Sequence, residues 1–225
     1  MRRILFILVI PFLVGCAHTV NYQLSEKDHW TGPKISGVVY VKPFEDAAAP
    51  ITNKVEKIGK EVWRTNYRQG YSSTNLSAQV TAMISKQLIY SGLFAGVSSD
   101  ETKAKFVLSG TLSDFAARGM ANDSAETAQQ VSAAFGALGA IIGAASTSEM
   151  KSEIKTSVVL SDVQLKDKNG ATLWHDSISV TNDVRLHFNE ASPVGIFNQP
   201  DKGLHEAVNE MIRRMGNSSL TNRVE

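Results

Sequence analysis

The chain has 225 residues, of which 23 are lysine or arginine and 22 are aspartate or glutamate, so its formal net charge is +1. This balance leaves no excess of basic residues of the kind that nucleic-acid binding requires. The single cysteine, Cys16, excludes a disulfide within the chain. The length is enough for one sizeable hydrophobic core or two small ones.

The amino-terminal residues, MRRILFILVIPFLVGC, have the pattern of a secretory signal sequence. Two arginines precede an apolar run from Ile4 to Val14, and the small residue Gly15 precedes Cys16. The run is too short to span a bilayer as a stable helix, which needs about 20 apolar residues. Residues 1–15 are therefore predicted to be a signal peptide.

The last four of these residues, Leu13-Val14-Gly15-Cys16, resemble a bacterial lipobox. The resemblance implies that the Cys16 sulfur receives a diacylglyceryl group and that the signal is cut before it; the alternative is an ordinary secretory signal. Two or more acyl chains hold a protein on a bilayer. Ala17 stands where an aspartate often signals retention at the inner membrane, which favours the outer membrane, facing the periplasm. The polar residues 16–34 are predicted to be a lipidated tether.

Past the tether, strand patterns and helix patterns alternate. Residues 35–41 are rich in β-formers and predict a strand that ends before Pro43. Residues 54–72 fit either a helix or a hairpin. A helix is predicted to begin after Ser73 or Thr74 and to end at Gly92. Its buried stripe is Leu76, Val80, Met83, Ile84 and Leu88.

The second half of the chain predicts three more elements. Alternation over residues 105–115 predicts a strand with Phe106, Leu108 and Leu112 on one face. Strand character resumes from Ile154 to Leu165, Lys168-Asn169-Gly170 predicts a hairpin turn, and residues 173–180 run back. The last helix is predicted from Asp201 to Gly216, with a buried stripe of Leu204, Val208, Met211, Ile212 and Met215.

This order of elements predicts a single α+β periplasmic domain over residues 35–216, followed by a carboxyl-terminal tail, 217–225. The expected architecture is a two-layer sandwich of a mixed sheet with two main helices. A glycine- and alanine-rich stretch, residues 119–150, is predicted to be a helical insertion in this domain.

Particular stretches of the domain resemble a known group of lipoproteins. They are VVYVKPFED at 38–46, KIG at 57–59, KQLIYSGLFAGV at 86–97, AKFVLSGTLSDF at 104–115 and LKDKNGATLWHDSISV at 165–180. They resemble the YajG-type and related periplasmic lipoproteins, whose domain is similar to the amino-terminal domain of the Tol-Pal propeller protein. The resemblance covers residues 36–215 and implies partner binding or assembly, with no catalytic residues to carry over. The insertion at 119–150 departs from the group.

No set of catalytic or metal-binding residues stands out in the sequence. The five histidines lack zinc-type spacing, and HEAVN at 205–209 lacks the second histidine of a zinc helix. The pair His175-Asp176 after Trp174 has the residue types of acid–base chemistry, but a hairpin strand with Trp174 in the core is the favoured interpretation. We therefore expect no enzyme activity, no cofactor, no metal and no small-molecule substrate.

The segment Ala133–Ala145, AAFGALGAIIGAA, has no polar side chain. On a helical wheel its glycines Gly136, Gly139 and Gly143 lie on one side, and Leu138, Ile141 and Ile142 contribute to a bulkier surface. Three interpretations remain open. The segment is a buried or flexible insertion, a contact helix in a homo-oligomer or with a partner, or a segment that dips into the membrane.

These features predict a non-enzymatic accessory or assembly factor in a cell-envelope complex. Its expected partners are membrane lipid through Cys16 and either an envelope protein or a second copy of the chain, with no nucleic acid. The alternative is an oligomeric secretion or export component whose segment 125–148 contacts or enters the membrane.

Overall fold

The computed structural model describes residues 20, 22–48, 55–58, 61–65, 76–122, 151–187 and 193–218. The strands within these ranges are β1 (Ile35–Val41), β2 (Glu45–Asp46), β3 (Val55–Ile58), β4 (Glu61–Thr65), β5 (Phe94–Ser98), β6 (Phe106–Asn122), β7 (Lys151–Asp167) and β8 (Thr172–His187). The α-helices are α1 (Leu76–Ser91) and α2 (Pro193–Gly216), and short 3-10 turns occur at Glu26–Asp28 and Glu101–Lys103.

The strands form one mixed sheet around β6. β7 pairs antiparallel with one edge of β6 and β8 pairs antiparallel with β7, so three long strands form a meander. Along the other edge of β6, β1, β2 and β4 pair in turn, the first two parallel and the third antiparallel. β5 extends the sheet beyond β1, and β3 extends it beyond β4. We call the end of the sheet at Phe106 the lower end and the end at Asn122 the upper end.

Both helices cover one face of this sheet. α1 contacts β1, β2 and β5, while α2 lies across β6, β7 and β8. The predicted α+β sandwich with a mixed sheet and two main helices is confirmed. Every residue of the two predicted helix stripes is buried, as are the three residues predicted to share one face of β6, namely Phe106, Leu108 and Leu112.

Irregular pairing keeps apolar side chains on the helix side along the long strands. Leu112 and Phe115 are three residues apart, which in a regular strand places them on opposite faces, yet both are buried in the same core cluster. A register shift at this point of β6 accounts for it. In β7 the same shift occurs between Leu160 and Val163, where Asp162 has a φ of 49°.

The predicted helix end and hairpin turn are confirmed. α1 ends at Ser91, and Gly92 has a φ of 69°, the left-handed conformation expected just after a helix. The turn between β7 and β8 closes through a hydrogen bond from the Gly170 amide to the Asp167 carbonyl oxygen, at 3.0 Å. Gly170 itself has a φ of 84°.

The predicted start of the last helix is wrong. α2 begins at Pro193, not at Asp201, and Pro200 lies inside it. Proline lacks an amide hydrogen and crowds the preceding turn, which predicts a helix boundary there. In the structure residues 199–201 are buried, and this packing offsets the loss of one helical hydrogen bond. The predicted end at Gly216 is confirmed.

Residues 54–72, which fitted a helix or a hairpin, contain the hairpin β3–β4 in their described part. β6 continues to Asn122 and β7 begins at Lys151, so residues 119–122 of the predicted insertion belong to the sheet. Residues 123–150, with Gly136, Gly139, Gly143, Leu138, Ile141 and Ile142, lie outside the described residues, as do Cys16 and the predicted signal peptide.

Candidate functional site

The amino-terminal segment, Val20 with residues 22–34, lies along the groove between α1 and α2; we call it the strap. The Val20 amide donates to Gln79 Oε1 in the first turn of α1, at 2.8 Å. Farther along, the Trp30 amide donates to the carbonyl oxygen of Ser91 at the end of α1, at 2.9 Å. From Tyr22 onward the predicted tether, residues 16–34, is therefore packed on the domain, because Tyr22 and Asp28 are buried there.

A cluster of polar side chains fixes the middle of the strap to both helices. Asp28 Oδ1 accepts hydrogen bonds from His205 Nε2 and from Asn209 Nδ2, each at 2.7 Å. Gln87 of α1 completes the cluster: its Oε1 accepts from the Tyr22 hydroxyl and its Nε2 donates to Asn209 Oδ1, both at 2.5 Å. We call these five residues the strap cluster.

The carboxylate of Asp28 is stabilised in its charged form. Burial alone would raise its pKa, but hydrogen bonds from the Ser25 amide, Asn209 and His205, with the charge of His205, lower the pKa below its ordinary value. The pKa of Tyr22 is raised, first by burial and then by the negative charges of Asp28 and Asp201. The Tyr22 ring also stacks on the His205 ring, with centroids 4.4 Å apart.

The end of the strap is fixed by aromatic packing. Trp30 lies on Gly216, where an added Cβ would stand 2.5 Å from the indole ring, so only glycine admits this contact. The indole Nε1 donates to the Pro33 carbonyl oxygen at 2.7 Å. His29 stacks on Tyr90 of α1, with ring centroids 4.4 Å apart.

A cleft of about 440 Å³ opens between the strap and α2, beside the strap cluster. Its lining includes Lys27, Trp30, Glu210 and Arg213. Glu210 accepts hydrogen bonds from Arg213 and from Arg214, at 2.6 to 2.7 Å. These bonds, from Arg213 first, lower the pKa of Glu210 to about 2, so its charge is compensated within α2.

The strap cluster contains an aspartate–histidine pair, the residue types of acid–base catalysis, but its atoms are engaged with one another. His205 Nε2 faces Asp28 and Asn209, and the imidazole ring lies against Tyr22. The side chain of Asp28 is only 2% exposed. This arrangement holds the strap and both helices together.

The pair His175-Asp176 is divided by the hairpin strand β8. His175 is exposed and its Nε2 lies 2.9 Å from Asp162 Oδ1, whereas Asp176 accepts a hydrogen bond from Arg214 of α2 at 3.1 Å. Trp174 packs partly buried against the core, as the favoured interpretation predicted. The two side chains therefore point to opposite faces of the sheet.

The residues of the strap cluster were missed at the sequence level. Two signals could have found part of it. Ser25 and Asp28 have the spacing of a capping box, and the Ser25 amide does donate to Asp28 Oδ2 at 2.5 Å. His205 and Asn209 are four residues apart, which places them side by side on one helix face.

Within the described ranges, no helix is long and apolar enough to cross a membrane. In the same ranges no group of three or more histidine, cysteine, aspartate or glutamate residues has the geometry to hold a metal ion.

No family model matches the sequence, and no curated protein matches it. Among solved structures, a DUF330 protein from Xanthomonas campestris is similar over 92% of this chain and 95% of its own, at 12% identity and a TM-score of 0.50. A PelC dodecamer from Paraburkholderia phytofirmans (14% identity, 80% of this chain, 92% of that chain, TM-score 0.36) also matches. A minor lipoprotein from Acinetobacter baumannii also matches, over 85% of this chain and 96% of its own, at 9% identity and a TM-score of 0.32. The first of these similarities shows a shared fold.

Proposed function

We propose that the protein is a lipoprotein anchored in the outer membrane through Cys16, facing the periplasm, where it acts as a non-enzymatic accessory or assembly factor of a cell-envelope complex. The observation that carries the proposal is the docked strap. It begins within a few residues of Cys16 and binds both helices of the domain. A lipid attached at Cys16 would thus be tied closely to the folded domain.

A binding role rather than a catalytic one is supported by the chemistry of the strap cluster. Its one aspartate–histidine pair is enclosed by Tyr22, Gln87 and Asn209, and its hydrogen bonds run between the strap and the helices. The resemblance to YajG-type and related periplasmic lipoproteins, whose domain is similar to the amino-terminal domain of the Tol-Pal propeller protein, implies the same kind of role. The resemblance implies partner binding or assembly on a scaffold that serves many functions.

The anchor and its membrane are tested together by two substitutions. Cys16→Ala removes the sulfur that would be acylated, so labelling with radioactive palmitate should be lost and the uncut precursor should accumulate. Ala17→Asp is the matched variant: it leaves Cys16 in place and should move the labelled protein from the outer to the inner membrane on a density gradient. Normal palmitate labelling of Cys16→Ala would refute the proposal.

The accessory role is tested by cross-linking in intact cells followed by purification of the labelled wild-type protein. We expect another envelope protein, or a second copy of the chain, to be captured in stoichiometric amounts. The same experiment with Cys16→Ala should lose this product, because the precursor does not reach the same membrane. Recovery of the monomer alone from wild-type cells would contradict an assembly role.

The alternative function is an oligomeric secretion or export component whose segment 125–148 contacts or enters the membrane. It is favoured by one feature of the fold: β6 and β7 pair as far as Met120 and Glu153, so the apolar segment is connected at the far end of a long hairpin. Sedimentation of the Cys16→Ser protein, which lacks lipid, separates the two functions. A monomer that does not bind liposomes excludes the alternative.

A further inference from the structure

The two helices run in the same direction along the sheet, from its upper towards its lower end. In α2, Gly203 contacts Val158, whose partner in β6 is Phe115. Eleven residues later Arg214 binds Asp176, which pairs with Val163, nearer the lower end. α1 likewise ends at the lower end. Gly92 leads it into the start of β5, where Phe94 pairs with Ile35 at the beginning of β1, and β1 pairs with Phe106.

Followed from Trp30 back to Val20, the strap runs from the lower towards the upper end of the sheet. Trp30 is bonded to Ser91 at the lower end of α1, and Val20 is bonded to Gln79. These two positions on α1 are about 18 Å apart at 1.5 Å per helical residue. The amino-terminal end of the strap is therefore directed towards the upper end of the sheet.

Cys16 stands four residues before Val20 and so lies within about 14 Å of it, even if the chain is fully extended. An undocked tether from Cys16 to Ile35 would reach about 65 Å by the same measure. Docking thus removes most of the freedom that a lipidated tether would otherwise give to the domain.

We propose that the docked strap orients the domain on a lipid bilayer, with the upper end of the sheet directed at the membrane surface and the turn between β7 and β8 directed away from it. The proposal rests on the proposed lipid anchor at Cys16. The partner of the upper end is then the lipid surface, and the strap cluster and Trp30 are the residues that fix this orientation.

The orientation is measurable by energy transfer from the domain to a labelled bilayer. Cys16 is the only cysteine and would carry lipid, so an introduced cysteine is the single free thiol. Asp183→Cys places a donor fluorophore in the upper half of β8, and Asn169→Cys places one at the turn at the lower end; both sites are exposed. Asp183 lies eleven residues beyond Thr172 along β8, which separates the two sites by about 36 Å.

The full-length lipidated protein is reconstituted in vesicles of phosphatidylethanolamine and phosphatidylglycerol that contain an acceptor-labelled lipid. In the wild-type background we expect several-fold more transfer from position 183 than from position 169. In Asp28→Asn/Trp30→Ala, which removes the side-chain contacts of the strap to His205, Asn209 and Gly216 of α2, the two transfers should become similar. Asp162→Asn, which alters an exposed aspartate–histidine pair, is the control and should keep the wild-type ratio.

Undocking is verified independently by the rate of trypsin cleavage after Lys27 and Lys34, both within the strap. A second variant leaves the strap contacts intact and inserts about a dozen glycine and serine residues between His18 and Val20, which adds a flexible spacer. It should equalise the two transfers without accelerating trypsin cleavage. This variant does not depend on the folding of the substituted strap.

Equal transfer from the two positions in the wild-type protein would overturn the proposed orientation, as would an unchanged ratio in the spacer variant. Failure of the anchor itself has a different signature, because the protein would then not stay with the vesicles when they are floated on a gradient. A failed orientation and a failed anchor are therefore distinguished by the same preparation.

Discussion

Asp28 and Asp162 each lie within hydrogen-bonding distance of a histidine Nε2, at 2.7 Å from His205 and 2.9 Å from His175. Their surroundings are opposite. The Asp28 side chain is 2% exposed, and that of Asp162 is 65% exposed. A buried carboxylate that loses its charge leaves its donors unpaired, whereas water replaces the lost contact at an exposed site.

The first prediction compares the two positions. Asp28→Asn keeps the shape of the side chain but presents an NH2 group where Asp28 accepts hydrogen bonds, so we expect it to lower the free energy of unfolding by about 2–4 kcal/mol. Asp162→Asn should leave it nearly unchanged, because water replaces the contacts of an exposed carboxylate. Urea titration of both variants checks this, and equal effects would show that the strap cluster does not stabilise the fold.

The second prediction concerns pH. Because the folded pKa of Asp28 is lowered below 3.8, its contribution to stability is present above that value and is lost as the pH falls through the folded pKa. The difference in unfolding free energy between wild type and Asp28→Asn should therefore be largest near neutral pH and shrink below pH 4. Denaturant titrations from pH 7 to pH 3 measure it. A difference that grows on acidification would contradict the assigned charge state.

The strap cluster shows why single residues were harder to predict than elements. His205 and Asp28 are separated by 177 residues in sequence, so no local sequence pattern predicts their contact. The strap itself is polar and mixed, a composition that also describes a free spacer. Within the strap, only Ser25 and Asp28 carry a local signal, their capping-box spacing.

At the scale of elements, hydrophobic periodicity was sufficient to predict a helix or a strand wherever one of its faces is buried. The third prediction uses two such positions, Leu108 in β6 and Ile212 in α2. Truncation to alanine at either should lower the unfolding free energy by about 2–5 kcal/mol, as for other buried aliphatic residues. Ile89→Ala in α1, at a site that is 63% exposed, is the control and should cost less than about 0.5 kcal/mol. If the three variants unfold alike, the assigned faces are wrong.

The boundaries of elements were less predictable because tertiary packing decides them. The last helix was predicted to begin at Asp201, yet α2 begins at Pro193, and the residues at 199–201 inside it are buried. Residues 116–122 were not recognised as strand, because their partners in β4 and β7 come from distant parts of the sequence. Short β2 and β5 are likewise stabilised by neighbours that no local window contains.

At the scale of the whole molecule, the order of elements in the sequence predicted the fold class. It does not predict which assembly the molecule joins. The fourth prediction addresses the apolar segment. Gly139→Leu and Gly143→Leu add bulk to the glycine side, which would keep two helices apart while favouring the helix itself by about 1 kcal/mol per site. If the segment is a contact helix, sedimentation should show weaker association with stability unchanged or higher.

The other two interpretations of the segment predict different results for the same variants. A segment buried within its own domain predicts no change in association. A segment that enters the membrane predicts stronger binding to liposomes, since each leucine adds apolar surface. Unchanged association removes the contact helix, and unchanged co-sedimentation with liposomes counts against membrane entry.

The position of β8 in the sheet has a consequence for molecules crowded together. Among the described strands β8 pairs with β7 alone, so the backbone amides and carbonyls along its outer side face no strand from Thr172 to His187. Such an unpaired edge can form backbone hydrogen bonds with a strand of another molecule, which leads to aggregation. The register shift at Asp162 and the inward-facing carboxylate of Asp176 are the features by which natural proteins discourage this. Confinement to a two-dimensional surface would raise the rate at which copies collide side by side, and resistance to aggregation would then depend on the register shift in β7 and on the Asp176 carboxylate.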